Sequence, residues 1–193
     1  MVQTQRSKRL LYKLTGIPIN NFKWIPILVF SFSVVSRCQT QNDKLESIRQ
    51  AFRAINNDTT LQRVTLKGDK FLTQRTDGGG KLVGYFEDDS VLKIIEEVGL
   101  SFGIRRLEYY FKDGHLIFVY ETEEDFPYDD SNASFDYTKL SIVFEGRYYF
   151  YNNAPIKKII KGKLFGGTIP NPSQFITDAT KLSQLLMASK HER

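Results

Sequence analysis

Two hydrophobic periods divide the chain. Over "TQNDKLESIRQAFRAINND" the apolar residues Leu45, Ile48, Phe52 and Ile55 recur at three- and four-residue intervals. That is one face of an amphipathic helix, with Asn42 or Asp43 placed to cap it. From residue 60 the period falls to two, and three stretches superimpose: "GYFEDDSVLKII", "YYFKDGHLIFVY" and "YYFYNNAPIKKII". Each is an aromatic strand, a four-residue polar turn and an apolar strand. The aromatic part closes on Phe86, Phe111 or Phe150, and the turns carry Asp88-Asp89, Asp113-Gly114 and Asn152-Asn153. Those residue types tolerate the left-handed backbone a tight hairpin needs, so three hairpins of one design are predicted.

The second hairpin is apolar on both faces. Leu107, Tyr109 and Phe111 alternate with Glu108, Tyr110 and Lys112, and Leu116, Phe118 and Tyr120 with Ile117, Val119 and Glu121. It is therefore predicted to be central, with helices on one side and further sheet or loop on the other. "TLQRVTLKGDKFLTQRT" reads as one or two strands, "TKLSIVFEGRYYF" as a strand entering the third hairpin, and "FGGTIPNP" as a loop. In "PSQFITDATKLSQLLMAS" the residues Phe175, Ile176, Ala179, Leu182, Leu185 and Leu186 return to helical spacing, with Pro172 in the first turn. Helix, meandering sheet, helix is an α+β order with mostly antiparallel strands.

Composition agrees with a sheet, since 15 Phe and 10 Tyr lie among 193 residues, a length suited to one domain. The net charge of +5 changes meaning once it is located. Residues 1–38 hold six basic side chains and no acidic one, leaving 21 basic against 22 acidic over 39–193. A nucleic-acid partner is not expected, because no basic stripe remains in the folding part to neutralise phosphates.

The basic lead runs into "WIPILVFSFSVV", twelve uncharged residues, and then into "SRCQTQND". Basic, apolar, then small or polar is the layout of an export signal, and twelve residues are too few to span a bilayer. The segment 1–37 is thus predicted to be an export signal and 38–193 one α+β domain. "VVSRC" resembles the lipobox of bacterial lipoproteins, which implies lipidation of Cys38, the only cysteine, although Arg37 stands where a small residue is usual. Cleavage after Ser36 without lipid, or an uncleaved hydrophobic arm, are the alternatives. One cysteine and two histidines, His115 and His191, exclude an internal disulfide and an ordinary structural zinc site.

Candidate chemistry is sparse. His115 follows the Asp113-Gly114 turn and is expected on the surface, with no nucleophile indicated beside it. "ETEEDFPYDDSNASFD" collects Glu121, Glu123, Glu124, Asp125, Asp129, Asp130 and Asp136 without calcium-loop spacing, and reads as a solvated acidic loop. "DGGGK" lacks the remainder of a phosphate loop and precedes a strand, and Glu87, Asp88, Glu96 and Glu97 make no catalytic pair by spacing alone. Neither a metal nor a cofactor is expected, nor catalytic residues. The remaining handle is aromatic: Tyr109, Tyr110, Tyr120, Tyr148, Tyr149 and Tyr151 read either as cross-strand pairs that stabilise the sheet or as an exposed binding ladder, with Tyr109, Tyr110, Tyr148 and Tyr149 as its candidate binding residues.

The stretch from "TDGGGKLVGYFEDD" through "LEYYFKDGHLIFVYETE", with the later "FEGRYYFYNNAPIKKII", resembles a group of exported or lipid-anchored proteins of Bacteroidetes-type bacteria. Its hairpins are similar to the aromatic-turn-aliphatic units of MORN-like and YD-type repeats, although their separations are irregular. The resemblance implies a cell-envelope location and no catalytic residues. The expected function is a non-catalytic, lipid-anchored binding module of the envelope, with a protein or other envelope component as partner. The alternative is a small-ligand carrier or hydrolase with its pocket between sheet and helices.

Overall fold

In the computed structural model, which describes residues 40–192, a seven-stranded antiparallel sheet lies between two helices. The first helix, α1 (Gln41–Asn57), is capped two to three residues earlier than expected. Thr40 is the cap, and its hydroxyl and the Asp43 carboxylate each take the other's backbone N–H in a capping box. Strands β1 (Gln62–Lys67), β2 (Gly80–Glu87), β3 (Ser90–Leu100), β4 (Gly103–Lys112) and β5 (His115–Asp125) follow as a meander. A two-residue pair, β6 (Tyr128–Asp129) and β7 (Ser134–Phe135), interrupts it before β8 (Ser141–Tyr151) pairs with β5 and β9 (Ala154–Gly162) closes the edge. The chain ends in α2 (Pro172–His191), capped by Asn171 with Pro172 in its first turn.

The three like hairpins share their geometry closely. Each turns on two residues and not the four expected, because the flanking residues pair: Glu87 with Ser90, Lys112 with His115 and Tyr151 with Ala154. Asp113, Gly114, Asn152 and Asn153 all have positive φ, the condition for a turn matched to the strand twist. Each then carries a bulge at the same place, with Leu92, Ile117 or Ile156 as the extra residue of the return strand. The phenylalanine before each turn, Phe86, Phe111 or Phe150, is buried on the α2 face of the sheet.

The central hairpin is apolar on both faces because each face carries one helix, which corrects the expectation of helices on one side only. On one face Leu45, Ile48 and Phe52 of α1 cover Tyr110, Ile117, Phe118 and Tyr149. On the other, Phe175, Ala179 and Leu186 of α2 seat among Leu82, Phe86, Ile94, Tyr109, Val119, Tyr148 and Phe150. Burying each such phenylalanine contributes about 1.5–3 kcal/mol. Gly84 admits this helix, since a Cβ there would lie 2.7 Å from the Phe86 ring and 3.0 Å from Leu186. Among the described residues no helix is long and apolar enough to cross a membrane.

At the far end of β3, the backbones of Gly78 and Gly99 touch. Gly78 N–H donates to Gly99 O at 3.2 Å and Gly99 N–H to Gly79 O at 3.0 Å, and a Cβ on Gly99 would stand 2.7 Å from the Gly78 backbone. Gly166, by contrast, faces open space. Gly99→Ala is expected to cost about 1–3 kcal/mol in urea unfolding, whereas Gly166→Ala stays within about 0.5 kcal/mol of the wild type.

Candidate functional site

The four tyrosines named as binding candidates are in the core. Tyr109, Tyr110 and Tyr148 are at most 1% exposed and Tyr149 8%. Tyr109 and Tyr148 face α2, where Phe175 packs against both at centroid distances of 6.4 and 4.6 Å. Tyr110 and Tyr149 face α1 through Phe118. The hydroxyls of Tyr109, Tyr110 and Tyr148 are spent on the carboxylates of Glu96, Glu108 and Glu121, and this leads to the charged centre.

That centre is built by the bulge in β5. An unbulged hairpin counted from the Asp113-Gly114 turn would set Arg105 opposite Thr122 and Leu107 opposite Tyr120. The extra residue Ile117 advances the register by one, so Arg105 pairs with Glu123 and Leu107 with Glu121. Glu121 and Glu123 thereby turn to the α2 face together with Arg105. Both are strand residues, 0% and 4% exposed, not part of a solvated loop. Only the later Asp129, Asp130 and Asp136 occupy the irregular stretch around β6 and β7.

Arg105 Nε donates to Glu121 Oε1 at 2.9 Å, its Nη2 donates to the same oxygen, and Glu123 Oε1 lies 3.8 Å from Nε. Tyr148 Oη donates to the other oxygen of Glu121 at 3.1 Å. The backbone N–H of Phe165 donates to Glu123 Oε2 at 2.5 Å, which ties the loop after β9 to the cluster. Gly146 makes room for this, because any Cβ there would meet the Tyr148 ring at 2.7 Å. Burial lowers the Arg105 pKa, but Glu121, Glu123 and Glu96 outweigh it and hold the guanidinium above its ordinary value. Glu123 moves upward through burial, opposed by the Phe165 N–H and by Arg105.

Glu96, on β3, meets a cavity together with Arg105. Its Oε2 accepts from Tyr109 Oη at 3.2 Å, and among the described residues this is its one hydrogen bond. Burial raises its pKa, against the attraction of Arg105 and the tyrosine bond, and Asp178 and Glu121 push it further upward. Tyr109 is raised well above its ordinary value by burial and by the Glu96 charge, so the phenol remains the donor. The cavity, about 380 Å³, opens between β3, β4 and α2. Glu96, Arg105, Tyr109, Asp178 and Lys181 give it polar groups, and Phe71, Leu107, Leu182 and Leu185 apolar walls. Such a site can hold a small molecule with one polar end against an apolar body. Among the described residues no three His, Cys, Asp or Glu side chains are grouped to hold a metal ion.

His115 is exposed at the start of β5, with Nδ1 3.4 Å from Asn153 Oδ1, and takes no part in this centre. The "DGGGK" glycines form the close approach of Gly78 to Gly99 and the entry to β2. Cys38 lies outside the described residues. Glu96, Arg105, Glu121 and Glu123 were not singled out as a site by their spacing, because their convergence depends on a one-residue bulge. The signal available was the density of acids opposite the Arg105-Arg106 pair once the hairpin is aligned.

The Glu96 shift has a sign that can be measured. A carboxyl whose folded pKa lies above its ordinary 4.5 adds stability below that pH and loses it as pH rises through the raised value. Glu96→Gln escapes this loss and keeps an acceptor for Tyr109. In thermal unfolding the variant is expected to match the wild type below about pH 4 and to become the more stable of the two toward about pH 8. A gap independent of pH would contradict the upward shift. No protein-family model, no curated protein and no solved structure matches this chain.

Proposed function

We propose that this protein is a non-catalytic binding module that takes a small amine into the cleft beneath α2, on a domain exported and held at the cell envelope by lipid on Cys38. One observation carries the ligand reading: the Glu96 carboxylate stands in an open cleft, stripped of most of its water, with a single hydroxyl donor. A carboxylate has about four acceptor positions, so Glu96 retains capacity for further donors. An ammonium supplies three donors and a compensating charge, and the attraction is strengthened by the loss of water around both groups. Arg105 attracts Glu96 across the cleft, but its hydrogen bonds go to Glu121, with Glu123 beside it. The walls from Phe71, Leu107, Leu182 and Leu185 suit an apolar body, and Lys181 at the cleft suits a ligand that also bears a carboxylate.

Phenethylamine, phenylalanine and neutral phenylethanol separate the terms. The amine, with or without its carboxylate, is expected to raise the melting temperature of the full chain, and phenylethanol to do so far less. Glu96→Gln should weaken amine binding by about tenfold or more, as loss of a charge-assisted bond requires. Leu182→Trp, which fills the cleft without touching Glu96, should abolish it. Equal shifts with phenylethanol, or an unchanged affinity in Glu96→Gln, would overturn the reading.

Export rests on the sequence: the basic lead, the short apolar run, the single cysteine after "VVSR", and the resemblance to lipid-anchored proteins. One acyl chain anchors only marginally, so the reading requires more than one on the mature N-terminus. Growth with a palmitate analogue is expected to label the wild type and not Cys38→Ala, and equal labelling of the two would remove the anchor.

A further inference from the structure

The geometry points to a second ligand site on the opposite face of the sheet, a cleft beside α1 that binds an amphipathic carboxylate with a single apolar chain. The cleft, about 310 Å³, lies between α1 and strands β5 and β8. Its floor is aromatic. Phe118 sits at centroid distances of 5.5 Å from Phe52 and 5.0 Å from Tyr149, so three rings present a continuous apolar bed. Its rim is cationic, since Arg49 and Arg53 reach in from α1 and Arg147 from β8, and no acidic side chain lines it.

The cations exceed their partners. Arg49 and Arg53 share one carboxylate, Glu46, at 3.4 and 3.7 Å, and both remain at least half exposed. Arg147 shares Glu145 with Lys161, at 3.1 and 3.8 Å. The Arg147 contact is poorly aligned, for Glu145 Oε1 is buried without a hydrogen bond. Arg147 is stacked over the Tyr120 ring at 5.7 Å, which holds its guanidinium plane at the cleft wall. Two acids therefore balance four cations, and exposed pairs of this kind are weak enough to exchange for a ligand. An anion with an apolar tail satisfies both halves: the head takes the unbalanced arginines in forked hydrogen bonds, and the tail covers Phe52, Phe118 and Tyr149. The aromatic bed accepts any apolar chain, and the arginine rim is what favours an anion over a cation or a neutral head.

Decanoate is the probe, with decyltrimethylammonium as the chain of opposite charge and phosphatidylglycerol vesicles as the membrane control. Calorimetry on the full chain is expected to show one saturable decanoate site and no comparable decyltrimethylammonium site. Arg49→Ala/Arg53→Ala/Arg147→Ala should weaken decanoate by about tenfold or more. Arg49→Glu/Arg53→Glu alters only the exposed side of α1 and should give the same loss with the circular dichroism of the fold retained. That pair keeps the test decisive if the triple variant unfolds. Unchanged affinity in the variants would assign binding elsewhere on the chain. Equal binding of the cation, or binding to vesicles with none to monomeric decanoate, would equally overturn the site.

Discussion

A carboxylate with no exposure to water, that of Glu121, sets the terms for the α2 half of the molecule. An ion of this kind costs several kcal/mol to desolvate, and its pairing returns that cost only when the geometry is good and the remaining lone pairs are filled. Here both oxygens are served, one by the Arg105 fork and the other by Tyr148 Oη. Each partner must then be held in place. Tyr148 is pinned between Gly146 and Phe175, and Arg105 between Glu121 and Glu123. Phe175 belongs to α2 and the Phe165 N–H to the loop before it, so the position of the last helix and the satisfaction of the buried charge are one problem.

The two faces of the sheet solve the burial of charge differently. On the α1 face charged side chains run in a half-solvated ladder, with Lys93 2.9 Å from Glu108 and Arg106 bridging Glu108 and Glu97 at 3.1 and 3.2 Å. Burial pushes the Glu108 pKa up, but bonds from Tyr110 and Lys93 prevail and hold it below the ordinary value. Glu96 is the opposite case: burial prevails and the carboxyl is raised. Glu108 on the α1 face is therefore satisfied as an ion, whereas Glu96 on the α2 face gains from a further donor. That contrast, more than cavity size, separates a supporting network from a place where a ligand has something to add.

Much of the fold was legible in the chain. Phe86, Phe111 and Phe150 mark three hairpins, the two-residue turns fall where Asp-Asp, Asp-Gly and Asn-Asn stand, and Leu45, Ile48 and Phe52 face the sheet as their spacing requires. Burial of the tyrosines was less legible, because alternation tells which residues share a face and not whether that face is covered. With a helix on each side, Tyr109 and Tyr110 are equally buried. The charged centre was hidden for a sharper reason. Ile117 and Phe118 both face α1, which breaks strict alternation, and every residue of β5 beyond them changes sides.

That break also explains what the buried pair contributes. A strand slipped by one residue exchanges its faces, and an apolar hairpin resists slipping poorly when both faces are apolar. In the unbulged register Tyr120 and Thr122 would turn toward α2, and Glu121 and Glu123 toward α1. Arg105 would then sit partly buried opposite Thr122, with Glu96 as its remaining acidic neighbour and without the carboxylates that pair with it now. The bulged register unites Arg105 with both acids and places Glu121 under the Tyr148 hydroxyl. Hydrophobic content alone separates the two registers weakly, since Ile117, Phe118 and Val119 are apolar on either face. The charges favour the bulged register, because it gives the half-buried guanidinium a hydrogen-bonded carboxylate that the slipped one would remove. The ionic centre thus favours the observed register of the central hairpin, and with it the rows of side chains on which both helices rest.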